Sequence, residues 1–140
     1  MQVQPSLRAK KVGHNMKKYG STITRVFLGF MFTGAAVAGM MGKVPPPEPE
    51  QAQLFMGVLA SSGLIVLVKI SELLCGLALL SGRFVPLALM VLAPIVVNIA
   101  FYHASLDPSG NVVSFVLLGL WGATAFFNRD AFAPLLQAKI

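Results

Sequence analysis

The sequence predicts an all-α fold: a polytopic membrane protein built as a four-transmembrane-helix bundle. Three observations predict it. Of the 140 residues, 56% are hydrophobic and 11% are charged, whereas a soluble domain has about 45–50% apolar and ~25% charged residues. Eleven basic and five acidic residues cannot clothe a soluble surface, which needs roughly 25–35% of such residues. The apolar residues gather into four runs, each near the ~20 residues that a spanning helix needs, and proline, glycine and charge separate them. An ordinary water-soluble globule, a disordered chain and a collagen-like rod are thereby excluded.

Residues 1–21 read as a basic cytoplasmic tail. Arg8, Lys10, Lys11, Lys17 and Lys18 precede the first acid, Glu48, and no strong period runs through them. Such a segment before an apolar run is drawn to anionic lipid. No reading motif accompanies the charge, so nucleic acid is not an expected partner. The first span is Thr22–Gly42, with Arg25 expected to snorkel its guanidinium toward headgroups. Ala36-Val37-Ala38 resembles a cleavage site, but the leading segment is long and the apolar run continues past it, so the helix is expected to be retained.

Pro45-Pro46-Pro47 and Pro49 must end that helix, because proline removes backbone donors and fixes φ. Leu54–Gly82 is too long for one span, and Gly57, Ser61, Ser62 and Gly63 weaken its start. It divides into a short lead-in helix around Glu50–Ala60 and a second span near Gly63–Gly82. Ser81-Gly82-Arg83 forms a tight turn. The third span, Phe84–Ala104, tolerates Pro86 in its first turn and is expected to kink at Pro94. Asp107-Pro108-Ser109-Gly110 is a turn, Val112–Phe127 the fourth span, and residues 131–140 a C-terminal tail. Small residues four apart should let helices approach closely in lipid: Gly34 with Ala38, Ala35 with Gly39, Ala38 with Gly42, and Gly119 with Ala123.

Four spans leave both termini on one side. With that side inside, the inner segments carry nine basic residues and the outer loops one, Lys43. The bias satisfies the positive-inside rule and predicts cytoplasmic termini.

The lone cysteine, Cys75, excludes an internal disulfide and reads as a small apolar core residue. Phosphate-loop, HExxH, GxSxG and paired-carboxylate motifs are absent, which argues against hydrolase or nucleotide chemistry. His14 and His103 fall in opposite halves, so no metal or haem site is expected.

Lys69 and Glu72 are the chemical oddity. Three apart, they share a helix face, and a charge at mid-membrane costs about 2.5–3.5 kcal/mol on insertion scales. Glu72 lies eleven residues from Arg83, ~16 Å along a helix axis. They form either a self-neutralising pair or a site that handles protons and orients a ligand. Asn98, Tyr102 and His103 fall in the same outer half, as does Lys43. These six residues are the pocket and proton-handling candidates. Asn98 and Tyr102 share a face, whereas His103 lies about 140° around the helix from Asn98.

The run Lys69-Ile70-Ser71-Glu72-Leu73-Leu74-Cys75-Gly76 resembles the DoxX-like membrane proteins. So do Leu79-Leu80-Ser81-Gly82-Arg83-Phe84-Val85-Pro86 and Ala93-Pro94-Ile95-Val96-Val97-Asn98, together with Gly42-Lys43, His103 and Asp107-Pro108-Ser109-Gly110. The resemblance spans roughly residues 22–130. It implies a small four-helix protein of the inner (plasma) membrane, associated with quinone-linked oxidoreductases. The expected function is an accessory or quinone-linked redox subunit whose outer-half polar pocket receives a small polar head, such as a quinone carbonyl. Its partners would be the lipid bilayer and a membrane redox complex. A scaffold subunit and a small-solute or proton conduit are the alternatives.

Overall fold

The computed structural model describes residues 7–136. Residues 1–6 and 137–140, the extremities of the two expected tails, lie outside the described residues. Five α-helices follow in order: α1 Leu7–Met40, α2 Glu50–Ser61, α3 Leu64–Ser81, α4 Val85–Ser105 and α5 Asn111–Phe127. Short 3-10 turns occupy Pro108–Gly110, Arg129–Ala131 and Ala133–Leu136. No strand occurs among the described residues. Four segments are long and apolar enough to cross a membrane: α1, α3, α4 and the stretch Pro108–Phe127 that contains α5. They close a ring in which α1 packs on α3, α3 on α4, α4 on α5 and α5 on α1. By connectivity every neighbour in this ring is antiparallel. One end of the bundle carries the chain termini and the α3–α4 turn; the other carries α2 and the α4–α5 turn.

Local chemistry sets the helix ends. α1 stops where Gly42 takes a left-handed φ of 64° and Lys43 N donates to Ala38 O at 3.0 Å. The same device ends α3: Gly82 adopts φ 72°, and Arg83 N donates to Ala78 O at 3.2 Å. Glycine reaches this conformation without a Cβ penalty, and the arrangement satisfies terminal carbonyls. The lead-in helix expected around Glu50–Ala60 is α2, and α4 continues unbroken through Pro94.

The helix expected to begin at Thr22 begins at Leu7 and runs 34 residues, about 51 Å. That exceeds a ~30 Å hydrocarbon core. Lys, Arg and Met are good helix formers, and extending an existing helix needs no new nucleus. Tertiary contacts then hold the extension. The Phe127 ring lies over Gly20, Asn128 Nδ2 donates to Ser21 Oγ at 3.1 Å, and Lys17 pairs with Asp130. The hydrogen bond from Lys17 holds the Asp130 carboxyl below its ordinary range. Both groups are well exposed, so this tie is weak and sensitive to salt.

Arg25 departs from expectation as well. Its guanidinium donates to the Leu79 carbonyl and lies against Gly82. It thereby binds the carboxyl end of α3, where a cation is favoured by the helix dipole.

The core draws Leu28 and Phe32 from α1, Cys75 and Leu79 from α3, Val85, Ala88, Leu89, Leu92 and Val96 from α4, and Leu117 from α5. Trp121 packs on this cluster, and its indole N–H donates to Leu89 O at 2.9 Å. Replacing Trp121 with Phe keeps an aromatic ring but removes that donor. We expect a loss of about 1 kcal/mol, read as a lowered unfolding midpoint by circular dichroism in detergent.

Among the glycines, backbone does not meet backbone at the expected small-residue pairs. Gly34, Gly42 and Gly119 face open space. Instead α1 and α3 meet at Gly29 and Gly76. A methyl on Gly76 would lie 2.5 Å from Thr33 Oγ1 and 2.9 Å from Thr33 N, and one on Gly29 would lie 2.9 Å from Gly76 O.

Candidate functional site

Beyond the Gly29–Gly76 contact, toward the α2 end, the α1–α3 seam opens just enough for two charged side chains. Lys69 Nζ donates to Glu72 Oε2 at 2.7 Å. The Glu72 side chain is 3% exposed and that of Lys69 21%. The i, i+3 spacing stacks them on one face of α3, and α1 supplies the seat. Gly39 presents no side chain there: a Cβ on it would lie 2.9 Å from Lys69 Cε and 3.0 Å from Cδ. The Lys69 stem therefore lies flat along α1, with its ammonium directed at the buried carboxylate. Thr33 Oγ1, near the floor of the same seam, is buried and has no hydrogen-bond partner among the described residues.

The other four candidates are arranged differently. Tyr102 and His103 meet edge to face at a centroid distance of 4.9 Å. Tyr102 also approaches Phe55 of α2, with ring centroids 5.6 Å apart. His103 Nδ1 is 2.9 Å from Asp107 O, and its imidazole sits directly over Gly110. Asp107 in turn accepts from Ser109 N at 3.2 Å. His103 thus braces the α4–α5 turn, and Tyr102 brings α2 and α4 together. Lys43 lies exposed past the end of α1. Asn98 is exposed on α4, and its amide makes no hydrogen bond among the described residues. So the structure joins Lys69 to Glu72 and Tyr102 to His103, and leaves Lys43 and Asn98 apart from both. Among the described residues no group of three His, Cys, Asp or Glu side chains could hold a metal ion.

The chain matches the DoxX family over residues 20–104. This protein belongs to the DoxX family. No curated protein and no solved structure matches it. The four apolar helices and the family together make it a multi-pass membrane protein. The DoxX match contains all six candidate residues and begins at Gly20, where Phe127 meets α1. The first part of the projecting helix and all of α5 lie outside it.

Reasoning from the DoxX sequence missed Gly39 and Phe55. Gly39 did stand in an expected small-residue pair, but as a contact between backbones rather than as the bed of a lysine stem. Phe55 gave no signal, because its partner lies on another helix far along the chain. Chemically, the Lys69–Glu72 pair can hold a proton between an ammonium and a carboxylate. It can also present further ammonium N–H donors to an acceptor arriving at the exposed edge of Lys69.

Proposed function

We propose that this DoxX-family chain is an accessory subunit of a quinone-linked redox complex, and that Lys69 and Glu72 are its proton-handling pair. The observation that carries the reading is the buried Glu72 carboxylate at 2.7 Å from Lys69 Nζ, well inside a membrane span. Intramembrane ionisable residues mark proton relays and ligand sites by default. The donor set suits a carbonyl oxygen: Lys69 Nζ has three N–H groups, of which Glu72 takes one, and its side chain is the more exposed of the two. A bound quinone would supply two-electron chemistry, with its electrons coming from the partner complex. Of the two protons that a two-electron step exchanges, Glu72 would release or take up one and water at the α2 end the other, while Lys69 biases the charge of that carboxyl and donates to the incoming oxygen. Lys43 and Tyr102 stand toward the α2 end, where water would replace the proton. The preponderance of basic residues at the terminal end favours the inner membrane with both termini cytoplasmic.

The scaffold alternative draws on the projecting part of α1. A conduit has less support, because a polar path would have to pass the half packed with Leu28, Phe32, Leu79 and Leu89, all essentially buried.

The test is titration of the purified protein with a short-chain benzoquinone at several pH values. We expect the wild-type affinity to vary with pH and the Glu72→Gln affinity to be flat. Equal pH profiles for the two proteins, or no binding by the wild type, would overturn the assignment.

A further inference from the structure

We propose that this chain self-associates in the membrane through the outward stripe of α4, with Asn98 hydrogen-bonding to the Asn98 of a second copy. The proposal is independent of the redox reading and uses none of its residues.

Helix α4 buries Val85, Ala88, Leu89, Leu92 and Val96 against its neighbours. Away from these lie Leu87, Val91, Pro94, Asn98, Phe101 and Ser105, all exposed. Their spacing is 4, 3, 4, 3, 4, the alternation that keeps one face against a partner helix at a shallow left-handed crossing. Every member within the middle of the span is apolar except Asn98. That residue stands fourteen positions from Phe84, ~21 Å along the axis, so it lies within a ~30 Å hydrocarbon layer. Its primary amide has two N–H donors and a carbonyl acceptor, and none is used among the described residues.

A polar group facing acyl chains without a partner is costly. Lipid tails offer neither donor nor acceptor. Two copies inserted the same way are related by a twofold axis along the membrane normal, which sets a residue at the interface opposite itself at the same depth. An amide is its own complement: Oδ1 of each copy accepts from Nδ2 of the other. One asparagine on an apolar stripe also fixes register, because any axial slip separates the two amides.

The experiment places a single cysteine on the stripe at Phe101→Cys and, as control, off it at Val97→Cys, in protein held in native membranes. Val97 is also exposed but lies about 100° around the helix from Asn98. The native Cys75 is buried in the core, so the introduced thiol reports alone. We expect oxidative cross-linking of Phe101→Cys to a dimer of this chain and little from Val97→Cys. In mild detergent, light scattering should show a dimer that Asn98→Leu weakens about tenfold and Asn98→Gln retains. A wild type that is monomeric throughout, equal cross-linking at both positions, Asn98→Leu dimers as tight as wild type, or a Phe101→Cys adduct with a different protein would each overturn the proposal.

Discussion

Lys69→Ala is expected to destabilise the bundle by about 3–5 kcal/mol, the usual cost of breaking a buried ion pair by removing one partner. The change strands the Glu72 carboxylate, 3% exposed, between α1 and α3 with no counter-charge. It also empties the bed that Gly39 provides for the lysine stem. Glu72→Gln should cost less, because the amide carbonyl still accepts from Lys69 Nζ and the ammonium can reach the exposed edge of the seam. Replacing both residues with Met should bring stability back near the wild-type value, since an apolar pair of similar volume removes two desolvation penalties at once. The measurement is a double-mutant cycle of Lys69→Met, Glu72→Met and the variant carrying both, read by thermal unfolding in detergent with Trp121 fluorescence as the probe. Additive single losses, with no recovery in the double variant, would show that the two side chains do not depend on each other.

Gly76→Val carries the other large effect, about 3 kcal/mol or more, because it overpacks a backbone-to-backbone contact. The first added carbon would lie 2.9 Å from Thr33 N and 3.1 Å from Gly29 O. Both are main-chain atoms of α1 and cannot rotate aside, so α1 must move off α3. That movement would also lift Gly39 from Lys69. Gly34→Val and Gly119→Val supply the comparison. Both positions are exposed and meet nothing within 4 Å, so their effects should stay near ±0.5 kcal/mol. If all three substitutions cost the same, close packing at the α1–α3 seam is not what holds the bundle together.

The four spans, the lead-in helix and the turn at Ser81–Arg83 were legible because each rests on a local cause: an apolar run of spanning length, a proline cluster, or a glycine where the chain must turn. The Lys69–Glu72 pair was legible for the same reason, since a spacing of three on one helix brings its own partner. What escaped the sequence depends on how one helix is rotated against another. Gly34, Ala35 and Ala38 are as small as Gly29 and Gly39, which do meet α3, and composition alone does not say which face of α1 turns toward it. The start of α1 was missed because its ties run to Phe127, Asn128 and Asp130, more than a hundred residues away. Snorkelling toward headgroups follows from Arg25's place at the end of an apolar run, whereas its bond to the Leu79 carbonyl depends on α3 packing beside it. Asn98 and His103 were grouped by depth. Their separation of about 140° around α4 is legible as well, but only the rotation of α4 against its neighbours turns His103 to the α4–α5 loop and Asn98 outward.

The unbroken length of α1 bears on how the protein meets bilayers of different thickness. A thinner membrane is accommodated by tilting the spanning helices. A helix with a joint at the surface could tilt within the lipid and leave its extension undisturbed. α1 has no such joint between Leu7 and Met40, and Arg25 fastens it to α3. Its protruding two-fifths must then swing like the arm of a lever, carrying Lys10, Lys11 and Lys18 sideways over the membrane surface. Membrane thickness is thereby converted into the lateral position of a positively charged arm.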